Sequence, residues 1–187
     1  MPFLLQPTLT GELLELRPLQ PCDFDALYAV ASDPLIWEQH PAHDRWKEKV
    51  FREFFRVAIE SGGAFLVVDR RDGRVIGSSR YHAYNEAKSE VEIGWTFLAR
   101  SHWGGRYNRE MKDLMLQHAF RFVKSVLFCV GSRNLRSLRA MEKIGGVRVE
   151  TREDRNGGEI TVFRISAPAP VSRPENPGTG RTSISSS

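Results

Sequence analysis

Two segments of this chain place residues in an order that could bind phosphate. The first runs Trp95–Thr96–Phe97–Leu98–Ala99–Arg100–Ser101–His102–Trp103–Gly104–Gly105–Arg106–Tyr107–Asn108 and passes directly into a periodic stretch. Its order predicts an apolar strand, a glycine-containing turn and a helix N-terminus. There the first backbone N–H groups lack intrahelical partners and point one way, which suits phosphate oxygens. The second segment, Asn134–Leu135–Arg136–Ser137, opens another helix further along. Together they predict a site for a phosphorylated cofactor.

The elements that must position these residues follow from periodicity and breakers. Residues 12–19 read as a first strand ended by proline, followed by a helix through Phe24, Leu27, Tyr28 and Val30 that Asp33–Pro34 breaks. Trp46, Val50, Phe54, Val57 and Ala58 place a second helix over 44–60, stopped by Gly62–Gly63. Phe65–Val68 and Val75–Gly77 flank Asp72–Gly73 as a hairpin, and a further strand covers 91–98. Met111, Leu114, Met115, His118 and Phe122 form one face of a helix leading into an apolar strand over 126–130. Leu135, Leu138, Met141 and Ile144 mark the next helix, ended by Gly145–Gly146. Strands over 147–151 and 160–165 embrace Asn156–Gly157.

Three successive strands without intervening helices exclude a simple doubly wound repeat. The expected class is α/β (α+β): one domain over 10–166, with a mixed, mostly antiparallel sheet of about seven strands and about four helices. Residues 1–9 form an N-terminal extension. Residues 167–187, rich in Pro, Ser, Gly and Thr, form a tail expected to be disordered.

The 187 residues, 41% hydrophobic and 27% charged, suit a single core, and a net charge of +4 is modest. No basic tract is interleaved with aromatics, so nucleic acid is not an expected partner. No apolar run approaches ~18 residues and no basic segment precedes an apolar one at the start, so a cytoplasmic protein with no membrane partner is expected. Cys22 and Cys129 are too few for a disulfide framework or a zinc site, and Cys129 reads as a small buried hydrophobe. No metal is expected, and a homodimer is the default oligomer.

The order of elements and both motifs resemble the GCN5-related N-acetyltransferases, and within them the branch that includes the ribosomal-protein alanine N-acetyltransferases. The likeness spans about residues 10–166. In that family the fourth strand and the turn after it hold acetyl-CoA, with the turn pattern Gln/Arg-x-x-Gly-x-Gly/Ala. Here the turn is Ser101–His102–Trp103–Gly104–Gly105–Arg106, with serine at the first position and arginine at the last. The resemblance implies acetyl-CoA contacts at Phe97, Leu98, Trp103, Gly104, Gly105, Arg106, Tyr107 and Asn108. Asn134-x-x-Ser137 followed by Ala140–Met141–Glu142–Lys143-x-Gly145 resembles the family's helix after the fifth strand. Asn134 reads as a helix cap alone, or as a cap that also contacts the cofactor. Arg133, Arg136 and Arg139 surround it, and one could meet the adenosine 3′-phosphate.

Many members place a proton-donating tyrosine seven residues after that asparagine. Met141 stands there, so the resembling branch implies Ser137 as the acid, and Ser137 also stands among the cofactor contacts. A lysine amine with pKa ~10.4 costs roughly 4.6 kcal/mol to deprotonate at pH 7, and an α-amine near ~8 about 1.4. A modest base then suffices. Glu92, in Glu92–Ile93–Gly94–Trp95, is the candidate, and a salt-bridged strand-end glutamate is its structural alternative. Strand alternation puts Glu92 and Gly94 on one face, Ile93 and Trp95 on the other. His118 reads as a core histidine. His82, Trp37, Trp46 and Phe55 are candidates to line an acceptor cleft. The expected function is acetyl transfer from acetyl-CoA to a primary amine by direct attack. The alternative is a module of the same fold that binds acyl-CoA without transfer.

Overall fold

The computed structural model describes residues 2–153 and 157–168. The expected 156–157 turn and tail therefore lie largely outside the described residues. In chain order the elements are β1 (Leu9–Thr10), β2 (Leu14–Pro18), α1 (Phe24–Ala31), α2 (Glu48–Glu60), β3 (Ala64–Asp69), β4 (Val75–Asn85), β5 (Glu90–Leu98), α3 (Arg106–Ala119), β6 (Ser125–Gly131), α4 (Leu135–Lys143), β7 (Val147–Glu153) and β8 (Glu159–Ser166). The strand beyond the expected seven is the two-residue β1, which pairs with β2. Helix α2 begins at Glu48, four residues later than expected, because Lys47 is extended (φ −76°, ψ 127°). The segment before it is pinned by Trp37, whose Nε1 donates to Ala31 O at 2.7 Å.

The eight strands form one sheet in the order β1-β2-β3-β4-β5-β6-β8-β7. Every pair is antiparallel except β5–β6. Two cores lie on its two faces. Tyr81, Val91, Ile93, Val126, Phe128 and Phe163 pack with Met111 and Met115 of α3 and with Leu138 and Met141 of α4. On the other face Ala64, Leu66 and Phe97 pack with Leu27 of α1 and Phe51, Phe54 and Phe55 of α2. Burying side chains of this size stabilises by roughly 1.5–3 kcal/mol each.

Two irregularities in β5 shape the centre of the sheet. Its parallel pairing with β6 covers Glu90–Glu92 opposite Ser125–Leu127. Beyond that point both strands continue, to Leu98 and Gly131, without pairing to each other. The second is a bulge. Arg80 pairs with Gly94 and Ser78 with Phe97, so Trp95 and Thr96 together oppose Ser79. Trp95 sits at φ 50°, a left-handed conformation unusual for a large side chain. The bulge corrects the face expected for Trp95. Ile93 faces the α3 core, whereas Trp95 packs with the α1–α2 core and against His82. One extra residue reverses the alternation beyond Gly94.

Candidate active site

The turn after β5 is held by a carboxylate. Asp69, fully buried at the end of β3, accepts from Arg71 Nη2 (2.7 Å), Tyr107 Oη (3.0 Å) and the Arg71 amide (2.9 Å). His102 Nε2 lies 3.2 Å from the same carboxylate. The Arg71 guanidinium, with the other donors, holds the Asp69 carboxyl well below the usual range despite burial. A hairpin aspartate thereby fixes both the turn and the first residues of α3. Tyr107 is committed to that anchor. Arg106 is exposed and reaches Glu12 at 3.6 Å.

Gly104 lies at φ +75°, and a Cβ there or at Gly105 would meet open space. Gly105 is the N-cap of α3, and no side chain caps that terminus. The Gly104–Asn108 backbone is thus shaped as a helix start open to an anion. Asn108 lies half-buried in the first turn. Phe97 and Leu98 are buried in opposite cores, so only their backbone could serve a ligand. Leu98 O accepts from Trp103 Nε1 at 2.8 Å. Trp103 in turn lies under the Arg136 guanidinium, 3.8 Å from the ring centroid.

Arg136 also donates from Nη2 to Ile36 O (3.2 Å), which ties the first turn of α4 to the α1–α2 connection. Arg133 and Arg139 are exposed. Asn134 is buried and caps α4, its Oδ1 accepting from Ser137 N at 3.1 Å. Ser137 is half-buried in that first turn.

Glu92 is the last β5 residue paired to β6, opposite Leu127, with His82 opposite it on β4. Gly94 leaves room beside it: a Cβ there would lie 3.3 Å from Glu92 Oε1. Cys129, half-buried, receives Arg152 Nη2 at 3.3 Å. Burial first, and then the charge of Glu92, push its thiol up to about 11, so it is neutral and no nucleophile. His118 is a core residue, its Nε2 2.8 Å from Leu4 O and its ring against Phe3 and Phe122. Trp37 and Phe55 are buried, and Trp46 is exposed. Among the described residues no group of His, Cys, Asp or Glu could hold a metal ion, and no helix is long and apolar enough to cross a membrane.

Sequence reasoning missed two features. Lys112 of α3 is 3% exposed, donates to Thr96 Oγ1 at 2.7 Å and lies 5.2 Å from the Phe128 ring. Burial lowers its pKa to about 7. Arg80 and Arg45 meet around Phe54, at 5.7 and 4.8 Å from its ring. Their charges lie far apart in sequence, and only the sheet and the α1–α2 connection join them.

The family model for the acetyltransferase (GNAT) domain matches residues 14–147, from β2 to the start of β7. The chain belongs to the GNAT acetyltransferase family. As such it is an acetyl-CoA-dependent N-acetyltransferase, and the uncapped α3 start fits the phosphates of that co-substrate. Solved structures share the fold. The GNAT acetyltransferase of Bacillus anthracis is 20% identical, with a TM-score of 0.72, over 86% of this chain and 98% of its own. A GCN5-related N-acetyltransferase of Brucella melitensis is 20% identical with a TM-score of 0.73, over 86% and 79%. The ribosomal-protein-S5-alanine acetyltransferase of Vibrio fischeri is 15% identical with a TM-score of 0.66, over 86% and 97%. No curated protein matches.

Proposed function

We propose that this GNAT domain acetylates a primary amine, a protein N-terminal α-amine or the amine of a small molecule, by direct attack in a ternary complex. The observation that carries the reading is Glu92. Its Oε1 lies over Gly94, 3.3 Å from where a Cβ would stand, at the point where β5 parts from β6. Acetyl-CoA supplies the acyl group as an activated thioester. Backbone N–H groups of Gly104–Asn108 would hold its pyrophosphate, and Asn134 with the Phe97–Leu98 backbone its pantetheine arm.

Glu92 draws the proton from the attacking amine, directly or through one water. Ser137 Oγ gives a proton to the leaving sulfur, the role for which Met141 has no group. The neutral Cys129 thiol supports direct attack over a covalent route. Incubation with acetyl-CoA and a panel of amines, read by thiol release and product mass, should show acetylated amine and free CoA together. Stabilisation by acetyl-CoA with no thiol released to any amine would contradict the reading and favour a binding module.

A further inference from the structure

Two guanidinium groups stand on the Glu92 face of the sheet: the charge of neighbouring Asp44 reaches Arg45, while burial alone acts on Arg80. Arg80 is 2% exposed, and its Nε is buried with no hydrogen-bond partner. Its guanidinium lies 4.8 Å from the Trp95 ring centroid, on the indole that the β5 bulge turns to this face. Arg45 lies over Phe54, with Trp37 at 5.6 Å and its Nη1 3.3 Å from His40 Nε2. Among the described residues neither arginine forms an ion pair. Burial and the charges of Arg45 and Arg136 lower His40 to about 3, so its ring is neutral and adds no charge.

Arginine keeps its proton when buried, so both groups stay charged at neutral pH. Aromatic faces offset part of the lost hydration. They do not satisfy the N–H donors, and two like charges around one phenyl ring repel each other. Such an arrangement is stabilised by an anion between the two forks, and a carboxylate matches guanidinium geometry. Position adds a second argument. Arg80 is paired with Gly94, and Glu92 is two residues along on the same face. Diagonal neighbours of this kind are roughly 7–8 Å apart. Gly94 has no side chain, and Glu92 Oε1 lies over it, 3.3 Å from where a Cβ would stand, next to the Arg80 register position. Opposite charges therefore stand at the two ends of one short stretch of this sheet face, a pattern that matches a short zwitterion.

We propose that the acceptor is a carboxylate-bearing amine, its carboxylate held by Arg80 and Arg45 and its amino group turned to Glu92. The assignment rests on the transfer reading above and names its substrate class. Free amino acids and peptides with an acidic first residue share that chemistry.

The test measures CoA release on matched pairs. Amino acids are set against their α-amides, and peptides beginning with Asp or Glu against those beginning with Asn or Gln. Members bearing the extra carboxylate should be acetylated with the lower KM. Arg80→Gln should raise that KM by roughly 30-fold or more, as loss of a buried charge partner implies. It should leave the neutral members and the acetyl-CoA-induced rise in melting temperature nearly unchanged. Arg45→Gln serves as the second variant if Arg80→Gln does not fold and should show the same selective loss, whereas Arg80→Lys, which keeps the charge without the fork, should lose less. Equal KM within pairs, an equal effect of the variants on both members, or no acetylation of any acid would overturn the proposal. Failure of acetyl-CoA itself to stabilise the protein would overturn the transfer reading beneath it.

Discussion

Lys112 Nζ has the Thr96 hydroxyl as partner and, among the described residues, no carboxylate in ion pairing, and burial pulls its pKa from 10.5 to about 7. In the unfolded chain it returns to its ordinary value. Between pH 7 and 10.5 the unfolded state therefore binds more protons, and stability rises with pH across that window. Lys112→Met should stabilise the fold at pH 7. Linkage makes that gain shrink by about 2 kcal/mol by pH 9, readable by urea unfolding of both proteins. Parallel pH profiles would show that the ammonium is not desolvated. Neither Lys112 nor Arg80 was legible in the sequence. A charged residue beside Met111 looks like the solvated edge of an amphipathic helix, and Arg80 like one more strand arginine. Glu92, by contrast, stood out as a candidate because Glu92–Ile93–Gly94–Trp95 resembles a family segment and Gly94 follows it at strand spacing.

At the scale of elements, the strand–turn–helix unit was legible because its signals are local: an apolar run, paired glycines, then helical periodicity. What holds it is not local. Asp69 comes from the β3–β4 hairpin and grips Arg71, His102 and Tyr107. Its depressed pKa contributes stability that is present above the ordinary aspartate value of 3.8 and is lost as pH falls below it. Asp69→Asn should therefore weaken the fold at pH 7 and flatten its acid limb. It should also raise the KM for acetyl-CoA, because the turn loses its anchor. Gly104→Ala places a Cβ at φ +75°, a conformation that costs about 1–2 kcal/mol, and should raise the same KM with little change in the acceptor's. The bulge at Trp95 was illegible for a related reason. It arises from how β5 registers against β4, and no signal within β5 reports it.

For the whole molecule, the order of elements predicted a mixed sheet, and the sheet has one parallel pair among antiparallel ones. Where that pair stops, the β5 and β6 backbones lose each other as partners and can take a ligand instead. Acetyl-CoA at 100 times its dissociation constant should stabilise the protein by about 2.7 kcal/mol, seen as a rise in melting temperature.

The proposed reaction turns on Glu92 taking the amine proton where β5 parts from β6. The most direct test compares kcat of Glu92→Gln with that of the unaltered protein across pH, for an amine the protein acetylates. A general base contributes roughly 10²–10⁴-fold. The variant should lose at least about 100-fold near pH 7, and the loss should narrow as pH approaches the pKa of the amine. A rate unchanged by the substitution, or a loss constant across pH, would contradict the assignment.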